Sequence, residues 1–364
     1  MVVKHRKRKE KVNVLNKFSK KKSEFCKGIG ILMMIFHHLF YKAENYQEYV
    51  INFFPFTEER INFFALLCKV CVAIFVFISG YGIAASYRKE FSTHTPNAGK
   101  ITDFIKKRIM KLYSLYWFVF VLTVLCQPLG RTISEAYGPE LKSQAVYFLL
   151  DFLGLSYMFG TPTLNPTWWY ITLALLIIVS VPLIEILYKK VGVFPAIATV
   201  MGILFLFSVS NANTFYIFSI LIGAGCCEGA FFEKLDAAFH KIKYGKILKC
   251  IIEIVCLLIG VSLRTNYNYY GIIDGIIVVC LAALTGDLLI KTPVVSNSMR
   301  ILGRHSGNMF LVHNQIYSYY FVSLIYGCKH WILIFLMLVL TSFVTSVVIE
   351  KTKKLIHYSK LFSV

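Results

Sequence analysis

Apolar residues in this chain come in ten long runs separated by short polar joints, at roughly 25–42, 61–86, 109–128, 167–187, 192–209, 214–232, 248–263, 271–290, 305–326 and 331–350. Each run is close to the ~20 residues that a helix needs to cross ~30 Å of hydrocarbon. The pattern predicts an all-α fold, a polytopic integral membrane bundle of about ten transmembrane helices. One transmembrane domain is expected over 25–350, with a basic tail at 1–24 and a short basic tail at 351–364. No internal repeat is visible. The longest joint, 129–166, is expected on the outer side and contains AVYFLLDFLGLSYMFG (145–160), which is apolar but short and interrupted by Asp151, Gly154 and Gly160. That suits an interfacial or re-entrant helix better than a crossing.

Composition agrees. Hydrophobic residues are 57% of 364 and charged residues 16%, whereas soluble domains sit near 45–50% and about 25%. The net charge of +20 changes the picture once its distribution is counted. Of the 39 Lys and Arg, 32 fall in 1–27 and in the joints on the same side of the expected bundle. Six fall on the opposite side, and Lys69 lies within a span. Cytoplasmic loops carry the excess of Lys and Arg, so both termini are expected to be cytoplasmic. Orientation and attraction to anionic lipid account for the basic balance. The tail KHRKRKEKVNVLNKFSKKK lacks interleaved aromatics and runs straight into a span, so no nucleic-acid partner is expected.

A cleaved signal peptide fits poorly, because the basic region is long and no A-x-A-like site follows the apolar run. The expectation is an uncleaved first helix. Ten cysteines scattered through or beside the spans behave as small apolar residues rather than as a disulfide framework. CKVC at 68–71 has redox spacing but lies inside a helix pattern, so no metal or redox site is expected.

The first span, GIGILMMIFHHLF (28–40), carries two adjacent histidines. Ionisable residues inside membrane spans are expensive and point to function. At ~100° per residue, Lys27 and His38 fall within ~20° of each other around the helix and ~16 Å apart along it, while His37 sits ~80° off that stripe. One helix face thereby offers a cation at the inner mouth and an imidazole midway across. That suits a ligand with phosphates at one end and a reactive group at the other. The bland alternative stands beside it: both rings merely hydrogen-bond neighbouring helices.

At this point the motifs themselves speak. CKGIGILMMIFHHLF resembles the first-helix signature of the membrane acyltransferase-3 family, the multi-pass O-acyltransferases of cell-surface glycans. That signature is an arginine, ten residues and a histidine; Lys27 stands at the arginine position and His38 at the histidine. The lysine keeps the charge and loses the bidentate fork. VFISGYGIAASYRK (76–89) is similar to the family's second helix. FIKKRIMKLYSLYWF (104–118) is similar to its basic inner loop, with Lys107 and Arg108 matching the paired cations and Tyr116-Trp117 the aromatic pair. TWWYI (167–171) matches a Trp-rich helix start. GRHSGNMFLVHNQIY (303–317) matches a late element at Gly303, Ser306, Leu311 and His313, with Phe310 where tyrosine is frequent.

The resemblance implies transfer of an acyl group, most simply acetyl, from a cytoplasmic acyl-CoA to a hydroxyl of a cell-envelope or exported glycan. His38 would be the catalytic general base, and Lys27, Lys107 and Arg108 would meet the phosphates of the donor. Trp168, Trp169, Arg264 and His313 are candidate substrate residues, the arginine bordering the outer side where an acidic glycan would meet it. No permanently bound cofactor is implied, since acyl-CoA is a substrate. The partners implied are the lipid bilayer, a glycan acceptor and the envelope-polysaccharide biosynthesis machinery, in a bacterial plasma membrane. The alternatives are a transporter or flippase for a lipid-linked sugar or polysaccharide, and a structural partner in an envelope complex with no site. Ser79 and Gly80 suggest close helix packing rather than chemistry, and Glu228 and Asp274, inside expected spans, each require a partner or a polar cavity.

Overall fold

The structure, a computed structural model, describes residues 18–92, 96–207, 214–266, 270–287 and 292–362. Most of the basic tail expected at 1–24 lies outside them. In chain order the principal helices are α1 (Lys20–Phe40), α2 (Glu58–Leu67), α3 (Cys71–Glu90), α4 (Ala98–Leu125), α5 (Ile133–Tyr137), α6 (Leu141–Phe152), α7 (Ser156–Phe159) and α8 (Trp169–Val191). They continue with α9 (Val193–Leu206), α10 (Ile217–Glu228), α11 (Phe231–His240), α12 (Gly245–Asn266), α13 (Tyr270–Asp287), α14 (Pro293–Gln315), α15 (Val322–Tyr326) and α16 (Trp331–Leu355). Of the described residues 84% are helical and none forms a strand, so the all-α expectation holds.

Among the described residues, four helical segments are long and apolar enough to cross a membrane: Glu58–Glu90, Ala98–Leu125, Pro166–Val191 and Trp331–Leu355. Shorter apolar helices cover Val193–Leu206, Ile217–Glu228 and Tyr270–Thr285. Helices α1, α12 and α14 also coincide with expected runs but carry polar residues that dilute them: Lys20 to Lys22, Glu24 and Lys27 in α1, Lys249, Glu253 and Arg264 in α12, and Arg300, His305, Asn308 and His313 in α14.

Contacts divide the chain into two units. The first comprises the described parts of Met1–Ile29, Val72–His94 and Ser180–Gly303. Here α3 and α10 pack backbone to backbone. A Cβ at Gly80 would stand 2.9 Å from the Ile220 carbonyl oxygen, and one at Gly223 would meet the Phe77 carbonyl, so only glycine permits the approach. Both intramembrane acids expected to need partners have guanidinium groups beside them. Arg88 Nε lies 3.0 Å from Glu228 Oε2 and 3.8 Å from Glu185 Oε2. Arg264 Nε donates to Asp274 Oδ1 at 2.6 Å.

The second unit comprises the described parts of Gly30–Cys71, Thr95–Val179 and Arg304–Val364. The segment at 129–166 forms three short helices, α5 to α7, and α6 falls on the apolar run read from the sequence as an interfacial or re-entrant helix. Its central helix is closed by aromatic donors from α4. Tyr116 Oη donates to the Asp151 carbonyl at 2.7 Å, Trp117 Nε1 to the Phe152 carbonyl at 2.8 Å, and Tyr113 Oη to the Leu153 carbonyl at 2.9 Å. These are carbonyls at the end of α6, which lack partners within the helix. The aromatic pair Tyr116-Trp117 therefore caps a neighbouring helix. The Asp151 carboxylate accepts from Tyr137 Oη (2.8 Å), Thr163 Oγ1 (2.8 Å) and the Leu164 amide (2.7 Å), tying α5 and α6 to the return segment at 161–168. Burial pushes the Asp151 carboxyl above the usual carboxylate range, and these hydrogen bonds oppose the shift.

Candidate active site

Helix α1 is capped at its start, where Ser19 Oγ accepts from the Lys22 amide at 3.4 Å, and then runs without interruption to Phe40. Its two histidines diverge because neighbouring helical residues point ~100° apart. The His37 ring is buried, and its Nδ1 lies 2.7 Å from the Ala65 carbonyl oxygen on α2. The His38 ring makes no hydrogen bond among the described residues. It lies against His313, the ring centroids 5.0 Å apart and tilted by 47°.

His313 is fully buried near the end of α14. Its Nδ1 is 2.7 Å from the Phe310 carbonyl oxygen. A carbonyl only accepts, so Nδ1 carries the hydrogen and Nε2 presents a lone pair. That Nε2 is buried and has no hydrogen-bond partner. A buried acceptor left unsatisfied costs about 1–3 kcal/mol, a cost that a reacting hydroxyl or a protonated neighbouring imidazole would relieve. Beyond Gln315 the helix widens into a π turn over Ile316–Tyr320, a feature frequent at functional sites.

The position of His313 is held from the side by the return segment. Asn165 is fully buried. Its Nδ2 donates to the Leu311 carbonyl at 3.3 Å, and its Oδ1 accepts from the Thr167 amide (3.0 Å), Thr167 Oγ1 (2.8 Å) and Asn314 Nδ2 (3.1 Å). Trp168 Nε1 donates to the same Leu311 carbonyl at 3.0 Å, and its ring packs edge-on to Tyr116 at 5.2 Å. Trp168 is therefore a buried strut for α14 rather than an open platform. Trp169 is half-buried and meets Tyr157, ring centroids 5.6 Å apart.

The remaining sequence candidates sit as follows. Lys107 is exposed on α4, and the Arg108 guanidinium lies 5.1 Å from the centre of the Phe104 ring. Both share the second unit with His38 and His313. Lys27 is half-buried on α1 and belongs to the first unit, as does Arg264. Arg264 is buried against Asp274, which removes the reason to expect an acidic glycan there. All ten cysteines are free thiols, and no cluster of metal-binding side chains occurs among the described residues.

Sequence reasoning missed Asn165, Asn314 and the anchoring role of Asp151. Asparagine directly before Pro166, and the polar run His313-Asn314-Gln315 inside an apolar stretch, are signals that could have found the two asparagines.

Fold and site together define a helical membrane protein in which the His38 ring lies against a buried His313 whose Nε2 has no hydrogen-bond partner. Comparison with known families makes this specific: the acyltransferase domain of the acyltransferase-3 family matches residues 21–351, and the chain belongs to that family. No curated protein and no solved structure matches it.

Proposed function

We propose that the protein moves an acyl group, most simply acetyl, from acyl-CoA to a hydroxyl of a cell-envelope or exported glycan, with His38 as general base. Membership of the acyltransferase-3 family supplies the reaction class. The observation that carries the rest is the His38 ring, free of hydrogen bonds among the described residues and 5.0 Å from His313. In this reading His38 takes the proton of the acceptor hydroxyl as its oxygen attacks the thioester carbonyl. The C–S bond then breaks, an ester C–O bond forms, and the proton leaves with the thiol of CoA. The unpartnered His313 Nε2 lone pair would accept an imidazolium or hydroxyl proton, which would stabilise charge developing on His38.

Lys107 and Arg108 would hold donor phosphates by charge-assisted hydrogen bonds. The part of Lys27 in donor binding rests on its place in the family motif. The same reading includes ten membrane crossings, both termini cytoplasmic, and a bacterial plasma-membrane location, with the lysine and arginine asymmetry as support.

The test uses the full chain in lipid nanodiscs with acetyl-CoA and a panel of glycans, following alkali-labile ester on the glycan by mass spectrometry. Ester formation that depends on protein and is lost in His38→Ala is expected. Movement of a lipid-linked sugar across vesicles without ester formation would replace this reading with the transporter.

A further inference from the structure

Within the second unit, a cavity of about 60 Å³ opens beside the return segment. Asp151, Ser156, Thr161 and Thr163 line it with oxygen, and Tyr157 and Trp169 line it with aromatic rings. Ser156 Oγ is buried, the residue only 5% exposed, and has no hydrogen-bond partner. A site of that size is far below the 300–1,000 Å³ of a pocket for a whole small molecule. It holds about two waters by their share of liquid volume, or one exocyclic hydroxyl-bearing group. Its aromatic side offers flat apolar faces: Tyr157 is 38% exposed, and the Trp169 ring lies 5.6 Å from it at 47°.

Such a combination matches one ligand chemistry. A sugar ring has an apolar C–H face that packs on an aromatic ring and exocyclic hydroxyls that need donors and acceptors. The charge on the wall narrows the class. The Asp151 carboxylate already accepts from Tyr137, Thr163, Leu164 and, at 3.4 Å, Tyr116, so it offers a ligand no donor and disfavours a nearby anion. Among the described residues, no lysine or arginine lines the cavity.

We propose that this cavity is the acceptor subsite, taking a neutral sugar unit with its exocyclic hydroxymethyl against Ser156 Oγ and its ring against Trp169 and Tyr157. The assignment rests on the glycan-acyltransferase reading above and adds the acceptor class: uncharged hexose units in preference to uronates or other acidic sugars. A mechanical link joins the subsite to the histidines. Trp168, also on the cavity wall, donates to the Leu311 carbonyl, and Asn165 and Asn314 join beside it. Seating a sugar therefore bears on the turn of α14 that carries His313.

The experiment measures binding and transfer separately on the full chain in nanodiscs. Binding of a neutral hexose disaccharide and of its uronate analogue is followed by calorimetry without donor, in wild type, Ser156→Ala, Trp169→Ala and Trp169→Phe. The neutral sugar is expected to bind at least tenfold more tightly than the uronate. Trp169→Ala is expected to weaken it about tenfold or more, Ser156→Ala about fivefold, and Trp169→Phe is expected to recover most of the loss. With acetyl-CoA present, the same losses should appear in acceptor KM with a much smaller change in kcat. Acyl transfer that proceeds while the variants bind and react like wild type, or a preference for the uronate, overturns the subsite and leaves the acyltransferase standing. Neutral-sugar binding that responds to the variants, without ester formation under any donor, keeps the subsite and removes the acyltransferase reading.

Discussion

Replacing each of the two adjacent histidines by alanine separates catalysis from packing, because the structure assigns them opposite surroundings. The His37 ring is buried with Nδ1 2.7 Å from the Ala65 carbonyl oxygen. Its removal deletes one buried hydrogen bond and leaves that carbonyl with one interaction fewer, a cost of about 1–3 kcal/mol. His37→Ala should lower the melting midpoint by a few degrees while leaving the rate per folded molecule within about threefold of wild type. The His38 ring has no hydrogen bond to lose among the described residues, so His38→Ala should change stability by roughly 1 kcal/mol or less. Loss of a general base, however, costs ~10²–10⁴ in rate, which is about 3–5 kcal/mol of transition-state stabilisation at 1.36 kcal/mol per decade. The assay pairs thermal melting in detergent with initial rates of ester formation at matched amounts of folded protein. Reversed phenotypes, with His38→Ala unfolding and His37→Ala inactive but stable, would refute the reasoning, as would a His38→Ala variant that stays within threefold of wild type.

Three further outcomes follow from the same geometry. Asn165→Ala leaves Asn314 Nδ2 and Thr167 without their shared acceptor, and should cost about 2–4 kcal/mol and lower the rate as His313 loses its lateral support; melting and kcat check both. Gly223→Val drives a side chain into the Phe77 carbonyl and should destabilise the α3–α10 contact by about 2–3 kcal/mol, visible as a lower yield of folded protein and a lower melting midpoint. Arg264→Met alone should cost about 3–5 kcal/mol by stranding buried Asp274, whereas Arg264→Met with Asp274→Leu should recover most of it; a double variant no better than the single would show that the pair is not the reason.

The legible part of the site followed from motifs on single helices. Spacing along α1 set His38 apart from His37, and ordered motifs from Lys27 to His313 identified the family that matches residues 21–351. Gly80 read as a packing glycine and stands in a backbone-to-backbone contact. Less legible were residues whose meaning depends on a partner distant in sequence. Asp151 looked like an interruption of an apolar run, and only the fold gathers Tyr137, Thr163 and Leu164 around it. Trp168 stood among the candidate substrate residues, and only the fold shows its indole N–H donating to the Leu311 carbonyl. Arg264 read as a receptor for acidic sugar, yet Asp274, ten residues further along the chain, neutralises it.

What the sequence determined by itself was the solvent and the element type. Long apolar runs can satisfy their backbone in hydrocarbon only as helices or closed barrels, and runs of this length are helical, so an all-α membrane chain followed from run length and composition alone. What only the tertiary structure decided was which polar groups meet. A buried imidazole, carboxylate or guanidinium is tolerable when something distant in sequence satisfies it, and the identity of that partner depends on helix packing rather than on local pattern. Hence His37 and His38, adjacent in the chain, are held apart by one step of helix rotation, the first against Ala65 on α2 and the second against His313 on α14.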